Sequence, residues 1–166
     1  MNIINILLAL NMLVTAQSYA VEPNTVDYAT LQVEAVEIVE PRYYADIPLD
    51  AELQEVLFKA CDENNVPYYI ALAVIYTESR FNPYAVNGSS GCYGLCQLNP
   101  ACFPSGLCPA DNIRYGIAYL GRQIRVYGSI EAGLTAYAVG HDDGSRSYAY
   151  YVLGVAEKWK GVVGDA

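Results

Sequence analysis

The stretch PYYIALAVIYTESRFNPYAVNGSSGCYGLCQLNP, residues 67–100, decides the fold of this 166-residue chain. Its first part, residues 69–76, is apolar on nearly every side, which predicts a helix that lies inside the protein. Near the end of this helix stands Glu78, and a carboxylate there is costly unless it is paired, hydrogen-bonded or protonated. Turn-forming Asn, Pro, Gly and Ser are frequent in residues 82–91. We therefore interpret Glu78 as a single acid at the floor of a cleft.

The chain from residue 49 onward carries helical patterns almost throughout. Five helices are predicted. The first is capped by Asp50 and ended by Asn64 and Asn65, and the second is opened by Pro67. The third is capped by Asp111 and ended by Gly128, the fourth is capped by Ser129 and runs from Ile130 to Val139, and the fifth runs from about Ser147 to Lys160. An irregular loop, residues 81–110, separates the second helix from the third and includes a possible short hairpin at 85–98. The predicted fold class is all-α, with a small irregular or short-β loop region.

Composition divides the chain into three parts. Residues 1–20 are typical of a secretory signal, because the apolar run 3–14 is shorter than the ~20 residues that span a bilayer and small residues precede a cut after Ala20. Residues 21–48 are acidic and contain three prolines, which predicts a disordered linker. Residues 49–166 form the predicted folded domain. We expect an exported protein, periplasmic or secreted, with no membrane attachment after signal cleavage; the alternative is an uncleaved amphipathic anchor.

The charge of the chain argues against nucleic acid as a partner. The formal net charge is −9, and no basic patch is present to neutralise phosphates. Residues 49–166 contain 12 acidic and 8 basic residues, so much of the excess lies in the linker and says little about the substrate. The 16 tyrosines suit either a half-exposed core or a surface that stacks on sugar rings.

Five cysteines in an exported chain predict disulfide bonds. We expect a bridge between Cys102 and Cys108, while the second pairing stays open and one thiol is left over. No metal site is expected, because there is no CxxC motif and only one histidine. An alternative use of Cys96 is as a thiol nucleophile with His141 as its base. The Gly and Asp residues around His141 favour an exposed turn instead.

Four groups of residues follow one another along the domain. They are Glu78, Ser79, Phe81, Asn82, Pro83, Ala85 and Val86, then Gly91, Gly94, Leu95 and Gln97, then Asn112, Ile113, Gly116, Tyr119 and Leu120, and finally Ala136, Tyr137 and Gly140. In order and spacing these four motifs resemble those of the soluble-type lytic transglycosylases, whose lysozyme-like SLT domain cuts peptidoglycan. The resemblance covers roughly residues 52–155. The sequence departs from the family pattern in three places. Cys96 replaces the usual Met, and Asn99 replaces a second Met two positions after Gln97, which implies a more polar wall of the sugar site. Ala138 replaces an Asn, and residues 141–143 replace a Pro-Gly turn.

The resemblance implies a reaction with a single acid. Glycosidases ordinarily use two carboxylates, whereas this region supplies only Glu78. In the family, the Glu protonates the bond between N-acetylmuramic acid (MurNAc) and N-acetylglucosamine (GlcNAc) and then takes the proton from the muramic 6-hydroxyl, which leaves a 1,6-anhydro end. The expected substrate-binding residues are Ser79, Gln97, Asn99 and Tyr137. No metal or cofactor is implied, and the expected partner is a peptidoglycan strand.

Two other functions remain open at this stage. One is a hydrolytic, lysozyme-type muramidase, and the other is a non-catalytic wall-binding or assembly protein on the same fold, for which the altered residues 138–144 are the only support. The sequence also leaves open whether the protein remodels its own wall, works with a secretion machine or attacks another cell. It indicates no preference for peptide-substituted or naked glycan.

Overall fold

The computed structural model describes residues 43–164, which form five helices. They are α1 (Ala51–Asn64), α2 (Tyr68–Ser79), α3 (Pro109–Tyr127), α4 (Ile130–Val139) and α5 (Ser147–Val163). In this part of the chain no strand forms, and the expected hairpin is reduced to two isolated β-bridges, from Tyr93 to Val86 and to Leu98. The all-α prediction is therefore confirmed. The proposed signal at 1–20 and residues 21–42 of the proposed linker lie outside the described residues.

The helix ends follow local capping chemistry. The Asp50 carboxylate accepts a hydrogen bond from the backbone N–H of Leu53 (2.8 Å), and the Ser129 hydroxyl accepts one from Ala132 (3.1 Å), as predicted for both caps. The expected cap at Asp111 is wrong. The cap is Cys108, and α3 begins at Pro109, three residues before the start that a cap at Asp111 implies, because proline is suited to the first turn of a helix, where its missing N–H costs no hydrogen bond.

Helix α2 is the centre of the core. Its residues from Ile70 to Ile75 are all at most 1% exposed, in agreement with their uniformly apolar character. Helix α5 packs along α2, while α3 packs against both α1 and α4, and α4 also contacts α5. Trp159 on α5 meets the ring of Phe81 edge-on, with centroids 5.3 Å apart. These contacts bring the end of α2, the loop after it, the end of α4 and the start of α5 to one side of the domain.

The segment before α1 packs on the folded domain. Ile47 is buried, and the amide of the fully buried Gln54 donates hydrogen bonds to the carbonyl oxygens of Tyr44 (3.0 Å) and Leu49 (2.9 Å). Residues 43–48, which composition assigns to the linker, thus contribute to the domain. Among the described helices, none combines the length and the apolar character needed to cross a membrane.

Candidate active site

A cleft of about 920 Å³ opens where these elements meet. Its walls are the end of α2, the loop between α2 and α3, two residues of α3 and the end of α4. The lining residues are Thr77, Glu78, Asn87, Ser90, Cys92, Cys96, Gln97, Leu98, Asn99, Cys102, Phe103, Tyr119, Arg122, Tyr137, Ala138, Val139 and Gly140. Within residues 43–164, no group of three or more His, Cys, Asp or Glu side chains is placed to hold a metal ion.

Glu78 lies in the last turn of α2 and lines this cleft, half-buried. Burial raises the pKa of its carboxyl above the usual range, and a hydrogen bond from Tyr148 partly offsets that rise. Helix α2 is apolar before this position, and the packing of the domain around it partly buries the carboxyl. A carboxyl with a raised pKa is suited to give up a proton as a general acid.

Tyr148, in the first turn of α5, is the site residue that the sequence analysis missed. Its hydroxyl donates to Oε1 of Glu78. The two residues lie 70 positions apart in the chain, and no local pattern distinguishes Tyr148 from the other 15 tyrosines. Only the packing of α5 on α2 brings the phenol to the acid.

Tyr137 lines the cleft as expected but does not donate to Glu78. Its hydroxyl donates to the carbonyl oxygen of Cys96 (2.7 Å), and its ring lies 5.6 Å from the ring of Tyr119. Burial, together with the neighbouring Cys96, Tyr148 and Glu78, raises the pKa of the Tyr137 phenol well above its usual value. Tyr137 therefore lines the cleft and also holds the loop at Cys96 in place.

Gln97 also lines the cleft, and its own amide holds the loop. Its Nε2 donates to the carbonyl oxygens of Ala85 (3.1 Å) and Gly94 (3.0 Å), and its backbone is in the left-handed region with φ 47°. Since both amide hydrogens are engaged, Oε1 is the atom that this side chain can offer to a ligand as an acceptor.

The two remaining predicted residues differ in position. Asn99 is exposed and lines the cleft, and its Oδ1 accepts a hydrogen bond from the backbone N–H of Ala101 (2.9 Å). Ser79 is buried, is not among the residues that line the cleft, and donates from its hydroxyl to the carbonyl oxygen of Ile75 (3.1 Å). The structure thus brings Glu78, Gln97, Asn99 and Tyr137 together and leaves Ser79 out.

Asn112 on α3 supports the loop from beneath and is itself buried. Its Oδ1 accepts from the backbone N–H of Cys96 (2.8 Å), and its Nδ2 donates to the carbonyl oxygen of Tyr93 (3.1 Å). A Cβ atom at Gly94 would lie 2.4 Å from this amide, so only glycine allows the close approach.

Cys96 packs closely on Gly116 of α3, because a Cβ atom at position 116 would lie 2.5 Å from the Cys96 Sγ atom. A small side chain at position 96 therefore fits tightly against α3.

The cysteines do not pair in the structure. All five are free thiols, and Cys102 and Cys108 are both exposed, so the expected bridge between them does not appear. The Cys108 thiol lies 3.3 Å from a carboxylate oxygen of Asp111 instead. Burial raises the pKa of the Cys96 thiol to about 12, which disfavours the thiolate that a nucleophile requires. His141 is exposed, as expected for a turn residue.

The altered segment after α4 still borders the cleft. Ala138, Val139 and Gly140 are lining residues. Beyond them, Arg146 forms an ion pair with Asp142 (2.6 Å) and a hydrogen bond with Thr135 Oγ1 (3.2 Å), which ties the segment to α4. The replacement of the Asn and of the Pro-Gly turn therefore changes the side chains at the rim without removing this wall.

An all-α domain with one half-buried carboxyl group in a cleft is consistent with the lysozyme-like class of fold. The family model described as the transglycosylase SLT domain matches residues 55–151, more than half of the chain. This chain belongs to that family. The match runs from α1 into α5 and includes Glu78, Tyr148 and the residues that hold the loop. SLT domains act on peptidoglycan, outside the cytoplasm.

Proposed function

We propose that this protein is a lytic transglycosylase that cleaves the β-1,4 bond between MurNAc and GlcNAc and forms a 1,6-anhydro-MurNAc end. Glu78 is the single general acid and base of this reaction. The observation that carries the proposal is a half-buried carboxyl group with a raised pKa in a cleft whose lining, within residues 43–164, contains no second carboxyl group.

In the first step, Glu78 gives its proton to the glycosidic oxygen as the bond from that oxygen to muramic C1 breaks. The GlcNAc part leaves with a free 4-hydroxyl, and the N-acetyl group of the muramic sugar supports the positive charge at C1. The partial burial of Glu78, which raises the pKa of its carboxyl, favours the protonated form before the reaction. The hydrogen bond from Tyr148 stabilises the carboxylate that forms during it.

In the second step, the Glu78 carboxylate takes the proton of the muramic 6-hydroxyl as O6 bonds to C1. The acid is then protonated again, and no water is consumed. Two-carboxylate glycosidases place their second group within about 5–9.5 Å of the first, to act as a nucleophile or to activate a water. The cleft described here supplies one carboxyl group, which suits an internal hydroxyl as the nucleophile.

The cleft walls offer polar groups to the sugar. Oε1 of Gln97 is available to accept the N–H of an N-acetyl group, and Asn99 adds an amide to the same wall. Tyr137 contributes its ring and the position of the loop rather than its hydroxyl. Ser79 has a structural part in this proposal, because its hydroxyl is bonded within α2.

Export completes the proposal, since the substrate lies outside the cytoplasm. Residues 1–20 act as a cleaved signal and the acidic residues that follow act as a spacer, which makes the protein periplasmic or secreted. Its partners are peptidoglycan strands and, for a protein that opens the wall locally, the components of a secretion machine.

The test is Glu78→Gln, with Glu157→Gln as the matched control because Glu157 is an exposed glutamate on α5 outside the cleft. Loss of a general acid removes roughly 10²–10⁴-fold of rate, so we expect Glu78→Gln to lose lysis of purified peptidoglycan and Glu157→Gln to retain it. Mass spectrometry of the products should show anhydro-MurNAc ends. Reducing ends from the active protein would instead assign a hydrolytic muramidase, and unchanged lysis by Glu78→Gln would remove the role of this acid.

Thermal unfolding of the same variant checks that it folds. A carboxyl whose pKa is raised in the folded state binds protons more tightly there, so the protein loses stability as pH rises from about 4.3, the value in the unfolded chain, through the raised pKa. Gln cannot ionise and avoids this loss. We therefore expect Glu78→Gln to melt at a higher temperature than the wild type at pH 7, by a smaller margin at pH 4.

A further inference from the structure

Arg122 on α3 lines the same cleft as Glu78. It lies one turn after Tyr119 on α3, and both side chains line the cleft. The ring of Tyr119 meets Phe103 edge-on at 5.4 Å and lies 5.6 Å from the ring of Tyr137. These rings form a continuous row along the lining, which ends at Tyr137, the residue whose hydroxyl contacts the loop at Cys96. Arg122 lies beside Tyr119, the middle ring of the row.

The guanidinium of Arg122 has no protein acceptor within residues 43–164, although the other basic side chains of this part are engaged. Their partners are carboxylates for Lys59, Arg114 and Arg146, oxygen acceptors for Arg80 and Arg125, and aromatic rings for Lys158 and Lys160. Arg122 is exposed and is the one basic residue in the lining of the cleft. The pKa of Glu78 responds to burial and to Tyr148, so Arg122 is not the counter-ion of that acid.

We propose that Arg122 binds a carboxylate of the peptidoglycan strand while the bond to be cut lies at Glu78. This inference rests on the proposed function. A guanidinium pairs with carboxylates through two parallel hydrogen bonds. On a chain with a formal net charge of −9, an anionic strand is favoured locally where an unpaired cation faces the cleft.

The peptidoglycan strand contains two kinds of carboxylate that could pair with the Arg122 guanidinium. One is the lactyl carboxylate of MurNAc, which is free only where the stem peptide has been removed. The other belongs to the stem peptide itself. The first would direct the enzyme to naked glycan and the second to peptide-substituted glycan, so the identity of the group decides which strands are cut.

Binding is measured in the Glu78→Gln background, so that strands remain intact and the readout does not depend on catalysis. The second substitution is Arg122→Gln, and the control is Arg125→Gln, three residues further along α3 and outside the cleft lining. Four strands serve as probes: peptide-bearing glycan, amidase-treated glycan with free lactyl groups, and each of these two preparations with its carboxylates blocked by amidation.

We expect Arg122→Gln to weaken binding of at least one carboxylate-bearing strand by roughly 3- to 10-fold and to leave the blocked strands unaffected. A loss confined to amidase-treated glycan assigns the lactyl carboxylate, and a loss confined to peptide-bearing glycan assigns the stem peptide. An equal loss on blocked strands, an equal loss with Arg125→Gln, or no loss on any strand would overturn the proposal.

The two proposals fail in different experiments. In the Glu78-containing protein, Arg122→Gln should raise KM for the same strand and leave kcat within about twofold, because the contact is made before the reaction as well as during it. Absence of anhydro ends with wild-type protein would contradict the proposed function. The binding comparison would still decide whether Arg122 recognises a carboxylate.

Discussion

Replacement of Asn112 by Ala should cost stability and loosen the loop that faces the acid. The substitution leaves the buried backbone N–H of Cys96 without its partner, while the carbonyl oxygen of Tyr93 loses one hydrogen bond and keeps the one from the backbone N–H of Leu98 (3.0 Å). An orphaned buried group costs about 1–3 kcal/mol. The free energy of unfolding should therefore fall by roughly 1–3 kcal/mol. The measurement is urea unfolding followed by circular dichroism.

Asn112→Asp separates the two hydrogen bonds. It keeps an oxygen to accept from Cys96 but lacks the amide donor for Tyr93, unless the buried carboxyl is protonated and donates its own proton. Burial raises the pKa of such a group, so its deficit relative to wild type should shrink as pH falls toward 4, while that of Asn112→Ala should not. A loss below about 0.5 kcal/mol for Asn112→Ala, the range of surface substitutions, would refute the reasoning.

Tyr148→Phe removes the donor that favours ionised Glu78, so the pKa of the acid should rise and the alkaline limb of the pH–rate profile should move to higher pH. A limb that stays in place or moves to lower pH would contradict this. Gly116→Ala should destabilise by about 1–3 kcal/mol, because the new Cβ overlaps Cys96. Gly154→Ala, in open space on α5, should be neutral or stabilising by ~0.5–1 kcal/mol, and equal melting of the two variants would argue against the overlap.

Local patterns in the sequence were enough to predict the helices and most of their ends. The apolar run from Ile70 to Ile75 predicts a buried helix because no polar face is available to meet water. Asp50 and Ser129 identify helix starts because their side chains satisfy N–H groups only two or three residues away. Asp111 failed as a cap since Pro109 and Asp111 are both suitable near a helix start, and only the observed backbone distinguishes them.

Some features of the candidate site can also be predicted from the sequence, whereas others depend on tertiary packing. The sequence predicts an acid in a cleft at Glu78 because a carboxyl at the end of an apolar helix is costly unless it is paired or protonated, and in the structure Glu78 is half-buried and lines the cleft. No local pattern predicts that Tyr148 donates to Glu78 or that the Tyr137 hydroxyl is bonded to the Cys96 carbonyl oxygen, because these residues are far apart in the chain. The burial of Ser79 likewise depends on how the helices pack. The sequence by itself determined which helix is buried and which acid it carries. The tertiary structure decided which hydroxyl reaches that acid, because this depends on how α5 and α4 pack around α2.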